Sequence, residues 1–264
     1  MRFLGLTATV LLLACEAAPA QSPLAERILA VKEGTVRLAF PVREGICGNG
    51  ETFIRDRSRG EGNYMSFEGN TNSRNWRNEA CEPGPARVAI MMTEGAISRV
   101  RVYVGGDWKA AGPEVTDLGM VSGPAAARAL LAVAAREHRG EQTVFAATIA
   151  DSVVIWPQLL SLAKNDAINR ETRKTAIFWL SQAAGDAATK GLADLVDDES
   201  EDREVRDQAV FALSQLPADQ GVPILIRLAK SNKDPKVRRK ALFWLGQSDD
   251  PRVLAVFEEI LTKP

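Results

Sequence analysis

The sequence predicts an α+β protein: a β-rich N-terminal module followed by a C-terminal α-solenoid of stacked helix pairs. Three observations predict it. Residues 35–119 run in short period-two stretches separated by glycine-rich turns; from Ser122 the apolar spacing becomes helical; and an eleven-residue pattern then recurs at offsets of 33 and 32 residues.

The chain begins with the grammar of an export signal. Arg2 supplies a positive start, Leu4 to Ala14 an apolar stretch, and Ala18-Pro19-Ala20 a small-residue cleavage site, so the mature protein is expected to begin near Gln21. An alternative is a lipoprotein box at Leu12-Leu13-Ala14-Cys15, with Cys15 lipidated, although Leu13 fits that motif poorly. The apolar run is shorter than the roughly 20 residues of a membrane-spanning helix, and no later stretch is as apolar. A bacterial periplasmic or secreted location follows from this reading.

Cleavage at Ala20 leaves Cys47 and Cys81, an even count in an oxidising compartment, and a single disulfide is the economical pairing. Two free buried thiols are the alternative.

In the β-rich module, Val36, Leu38 and Phe40 alternate with other residues and form one strand; Arg87 to Met92 is a second. Glu94-Gly95 turns the chain into Ile97 to Val104, with Val100, Val102 and Val104 inward and Arg99, Arg101 and Tyr103 outward. Val115 to Leu118 is a weaker strand. Residues 48–79, rich in Gly, Asn and Arg, read as long loops with modest strand signals at Thr52 to Ile54 and Tyr64 to Phe67.

Helical grammar starts with Ser122 as N-cap and Pro124 in the first turn. Thr172 to Gln182 recurs as Val205 to Gln215 and as Val237 to Gln247, while Leu159 and Leu162 recur as Leu192 and Leu195, then Leu225 and Leu228. Each unit is therefore two helices. Val205, Ala209, Ala212 and Leu213 form one apolar stripe, with Phe178, Phe211 and Phe243 to its side. Residues 125–137 with 142–153 suggest a degenerate first pair, and Pro251 to Leu261 a last, unpaired helix.

Asp202-Arg203-Glu204-Val205-Arg206 and Asp234-Pro235-Lys236-Val237-Arg238, each followed three residues later by alanine, resemble the D-x-x-V-R-x-x-A signature of HEAT repeats, especially the short ones also found in phycobilisome lyases. Asn169 and Thr172 replace Asp and Val in an earlier unit, and the resemblance spans about residues 155–261. It implies a structural role for Asp202, Arg206, Asp234 and Arg238, tying repeats together, and a scaffold function; it implies no catalysis.

Charge excludes one class of partner. Residues 21–120 carry 13 basic and 13 acidic side chains, and residues 121–264 carry 19 and 20, so neither half has the basic excess of a nucleic-acid binder. Catalytic motifs are scarce: His138 is the single histidine, and no nucleophile elbow, phosphate loop or dinucleotide fingerprint occurs. No cofactor or metal is expected. The acidic run Asp197 to Asp202 reads as a solvated loop, with weak calcium binding as the alternative.

The expected function is that of an exported, non-enzymatic scaffold binding a protein or peptide partner through its repeats. Candidate binding residues are Arg55, Arg57, Arg59, Arg74, Arg77 and Trp76 between the cysteines, and Trp179 and Trp244 on the solenoid. The competing expectation is a cell-envelope enzyme or ligand binder with its site in the β-rich module, where Arg55, Asp56 and Asp107 come first, and with the solenoid as a docking arm.

Overall fold

The computed structural model describes residues 23–51, 53–57, 64–66, 81–137, 139–182 and 186–262. The export signal and Cys15 lie outside these residues, as do Arg59, Arg74, Trp76, Arg77 and His138.

Strands β1 (Gly34–Phe40), β5 (Ala86–Thr93), β6 (Ala96–Val104) and β7 (Val115–Met120) form one sheet in the order β6-β5-β1-β7; β7 runs parallel to β1 and the other pairs are antiparallel. The period-two alternation sets its register. Val36 faces Ile90, Leu38 faces Val88 and Val88 faces Val102, so these side chains share one buried face. The opposite parity puts Arg37, Arg87, Arg99, Arg101 and Tyr103 on the other face. Positive φ at Glu94 and Gly95, 54° and 79°, closes the tight hairpin between β5 and β6.

A second, antiparallel sheet contains β2 (Ile46–Gly48), β3 (Phe53–Asp56) and β4 (Tyr64–Ser66) in sequence order. Cys47 on β2 forms a disulfide with Cys81. Strands β3 and β4 fall at the strand signals read at Thr52 to Ile54 and Tyr64 to Phe67 within the otherwise loop-like stretch 48–79, as far as the described residues reach. Their signals are modest because strands of three or four residues show little alternation against the surrounding Gly and Asn.

The helices pair as the 33-residue repeat requires. A short α1 (Leu24–Leu29) packs on α2 (Gly123–Arg136), which pairs with α3 (Glu141–Thr148). Then come α4 (Trp156–Lys164) with α5 (Arg170–Gln182), α6 (Asp186–Asp197) with α7 (Arg203–Ser214), and α8 (Ala218–Ser231) with α9 (Pro235–Leu245), and finally α10 (Arg252–Thr262). Helices α3, α5, α7 and α9 stack as one layer, and α2, α4, α6, α8 and α10 as the other. The repeated residues explain the stacking: Ala176, Ala209 and Ala241 are fully buried where helices approach closely, and Leu180, Leu213 and Leu245 are fully buried beside them.

Sheet and solenoid share one apolar core, from Ala25 through Val36 and Leu130 to Val253. Backbone bonds stitch the two together: Asp151 N–H donates to Pro41 C=O at 2.9 Å and Arg43 N–H to Ile149 C=O at 3.0 Å. The Arg43 side chain also bonds Thr148 C=O at 3.4 Å and pairs with the fully buried carboxylate of Asp56. At the start of α2, a Cβ on Gly123 would lie 2.2 Å from Asp151 O, so only glycine permits this crossing.

Candidate interaction surface

The repeat signature acts locally as caps and latches. Asp202 Oδ1 accepts from Glu204 N–H at 2.8 Å and caps α7; Asp234 Oδ1 accepts from Lys236 N–H at 2.8 Å and caps α9; Asn169 Oδ1 accepts from Thr172 N–H at 2.9 Å and caps α5. The arginine that follows binds backward and forward. Arg173 Nε donates to Ala163 C=O at 2.8 Å and Arg206 Nε to Val196 C=O at 3.1 Å, satisfying carbonyls near the ends of α4 and α6. Arg206 also pairs with Asp234 in the next unit at 3.3 Å, and Arg173 pairs with Glu201. Arg238 bonds the Asn232 and Lys233 carbonyls at 2.7 and 3.0 Å. These residues hold the stack together.

The acidic run is dispersed among structural partners. Asp197 pairs with Arg227 at 2.9 Å, Glu199 with Lys233 at 3.0 Å, Glu201 with Arg173, and Asp202 with Arg170 at 3.0 Å. Hydrogen bonds from Ser200 hold the Asp198 carboxyl below its usual range. Among the described residues no group of three or more His, Cys, Asp or Glu is arranged to hold a metal ion.

Aromatic residues line one side of the α3, α5, α7 and α9 layer. Trp179 is buried and touches Phe145 on α3 and Phe178 on its own helix, with ring centroids 5.2 and 5.1 Å apart. Trp244 repeats the arrangement with Phe211 on α7 and Phe243 on α9, each at 5.0 Å. The tryptophans thus bridge consecutive helices, while their phenylalanine neighbours reach solvent: Phe178 is 37% exposed and Phe243 58%. Tilted and edge-to-face rings at these separations add to the packing. Trp179 and Trp244 support the row; the phenylalanines present it.

At its N-terminal end the row opens into a cavity of about 610 Å3 between the edge strand β6 and the solenoid. Thr175 and Trp179 of α5 and Phe145 of α3 form one wall, and Ser98 to Tyr103 with Ile54 the other. Solenoid side chains cap part of the strand edge: Gln142 Oε1 accepts from Val100 N–H at 2.9 Å, and Arg139 Nη1 donates to Ser98 C=O at 2.8 Å. Val102, two residues on, points its backbone groups to the same side. Arg99, Arg101 and Arg139, with Glu51 and Glu141, also line this cavity.

Of the candidates between the cysteines, Arg55 lies on β3 with its guanidinium 5.7 Å from the Phe53 ring, and Arg57 is exposed just beyond β3. Neither lines the cavity at the junction. Asp56 belongs to the Arg43 pair that joins sheet to solenoid. Sequence reasoning passed over Phe178, Phe211 and Phe243 as surface residues. Their signal was present, because they repeat in register and lie beside the apolar stripe.

Residues 198–264, covering α7 to α10, match the family model of HEAT repeats. A search of curated proteins gives no match. The C-terminal part of the chain is therefore a HEAT-like repeat region, an architecture that in general serves as a protein-interaction scaffold.

Proposed function

We propose that this protein is an exported, non-enzymatic interaction protein that works in the bacterial cell envelope after its leader is cleaved near Ala20. It binds a protein or peptide partner on the aromatic surface that runs from the junction cavity along α5, α7 and α9. The observation that carries this reading is the row of Phe178, Phe211 and Phe243 at one repeat position, with Phe178 and Phe243 exposed. Exposed aromatics repeated on one helix layer are the kind of apolar surface that marks binding sites, and aromatic anchors dominate interface energies. The residue inventory, with its single histidine and no nucleophile motif, supports a role without catalysis.

The test is capture from envelope extract of the native host, with chemical cross-linking, by wild type and by a Phe178→Ser/Phe243→Ser variant. Both side chains are exposed enough for the variant to keep its fold, which circular dichroism checks. The expected result is a partner recovered with wild type and with an Asp198→Asn control but lost with the double variant. Equal recovery by all three would remove the aromatic row from the binding surface.

A further inference from the structure

The exposed face of the four-stranded sheet carries a second constellation, independent of the aromatic row. Arg37 on β1 and Arg101 on β6 both lie level with Ala89 on the strand between them, so two guanidinium-bearing positions flank a small residue. Arg87 lies on that same central strand, β5, level with Tyr103 on β6. Beyond β6 the chain turns through Gly105 and Gly106 and lays Trp108 and Lys109 over this face. The result is a cavity of about 410 Å3 lined by Arg37, Arg87, Arg101, Tyr103, Trp108 and Lys109, with Glu51 and Asp107 exposed at its margin.

The arginines are held as a built site rather than scattered on a surface. Arg87, 6% exposed, donates to three backbone carbonyls: Gly105 at 2.9 Å, Asp107 at 2.5 Å and Gly50 at 2.7 Å. Its guanidinium carbon lies 5.2 Å from the Tyr103 ring centroid and 5.1 Å from that of Trp108. Arg37 approaches the same indole, at 4.7 Å, while its Nη1 donates to Lys109 C=O at 2.9 Å. Its Nε is buried and meets no hydrogen-bond acceptor. Among the described residues, Arg37, Arg87 and Lys109 form no ion pair with a carboxylate.

Two guanidinium groups against one indole repel each other, and burial, aided by the Arg37 charge, pulls the Arg87 pKa below its usual value against Tyr103 and Asp107. A chain with a net charge of −1 has collected this cationic cavity at one place. Neutral ligands leave this repulsion in place, whereas an anion between the cationic groups relieves it. Planar guanidinium forks match the geometry of a carboxylate, and the perpendicular Tyr103 and Trp108 rings, centroids 6.1 Å apart, offer apolar walls to the body that carries it. The volume suits a small organic molecule or the end of a chain.

We infer that this cavity binds an organic carboxylate, with Arg37, Arg101 and Lys109 facing the anion and Arg87 holding Trp108 in place. Two sources present that chemistry: a free small acid, or the terminal carboxylate of a peptide. The cavity shares Glu51, Arg101 and Tyr103 with the junction cavity, so a peptide lying along the edge of β6 would bring its end here.

The experiment is calorimetric titration of the purified protein, at fixed ionic strength, with benzoate, with acetyl-Ala-Ala-Phe bearing a free carboxylate, with the same peptide as its amide, and with inorganic phosphate. Saturable heat from a free carboxylate, absent with the amide, is the expected result. Benzoate alone points to a free acid as the source, and benzoate together with the peptide acid to a chain terminus. Arg37→Gln, checked for an unchanged melting temperature, should weaken binding about tenfold or more, the scale of losing a charged hydrogen-bond donor. Phe178→Ser/Phe243→Ser should leave it unchanged, which separates this site from the proposed partner surface. No saturable binding of any carboxylate, tighter binding of phosphate, or equal affinity in Arg37→Gln would overturn the assignment.

Discussion

The Arg173 latch gives the sharpest test of how the repeats hold together. Arg173 is 5% exposed at its side chain and pairs with Glu201, which is 4% exposed, while Asp166, its other partner at 3.2 Å, is 86% exposed. The solvent-exposed contact adds little. Replacing Arg173 with Met fills much of the same space but strands the Glu201 carboxylate, which among the described residues keeps the Asp202 N–H at 2.6 Å alone, and leaves the Ala163 carbonyl without the Arg173 donor. Removing one partner of a buried pair costs about 3–5 kcal/mol. For a chain of this size that corresponds to a fall in melting temperature of roughly 6–20 °C. Glu201→Gln should cost less, about 1–2 kcal/mol, because Arg173 retains Ala163 C=O and the glutamine amide oxygen can still accept from its guanidinium. The double variant Arg173→Met/Glu201→Gln should recover most of the loss, since no buried charge is then unpaired. Urea denaturation followed by circular dichroism measures all four proteins. Arg173→Met within 1 kcal/mol of wild type, or a double variant no better than Arg173→Met, would refute the latch.

Three further outcomes follow from the same geometry. The Cys47–Cys81 bond spans 34 residues, and opening it by reduction should lower stability by about 4 kcal/mol through the entropy of the unfolded chain; two titratable thiols in unfolded, unreduced protein would exclude the bond. The Asp234 carboxyl, stabilised by the Lys236 N–H at the start of α9, lies below its ordinary range, so its contribution is present above about pH 4 and fades as pH falls through its folded value. Asp234→Asn keeps a cap but should flatten that acid limb, which pH-dependent urea midpoints would show; an unchanged limb contradicts the capping role. Gly123→Val drives a side chain into the Asp151 backbone and should cost about 1–3 kcal/mol or more, lowering the melting of sheet and solenoid together; loss confined to one of them would argue against a shared core.

Much of this fold was legible in the sequence because burial imposes a period on the chain. The stripe through Val205, Ala209 and Leu213 recurs because each helix meets the same environment in each unit, and Val36, Leu38 and Phe40 alternate because one face of the sheet is covered. Helix α1 and strand β2 escaped notice because six and three residues are too few to display any period. Thr172 departed from the repeat without departing from its role: fully buried in place of valine, it turns its hydroxyl to the capping Asn169 at 2.9 Å.

The cationic cavity was legible only as residue types, whereas the phenylalanine row was written in the repeat itself. Arg37, Arg87 and Trp108 are up to 71 positions apart in a chain where arginine is common, and nothing in their immediate neighbours marks them. The repeat and the strand parity, both local consequences of covering apolar surface, belong to the sequence. The meeting of those two arginines over one indole, the union of Arg43 with Asp56 at the junction, and the joining of sheet edge to aromatic row belong to the tertiary structure, because strand order and helix stacking decide which distant residues become neighbours.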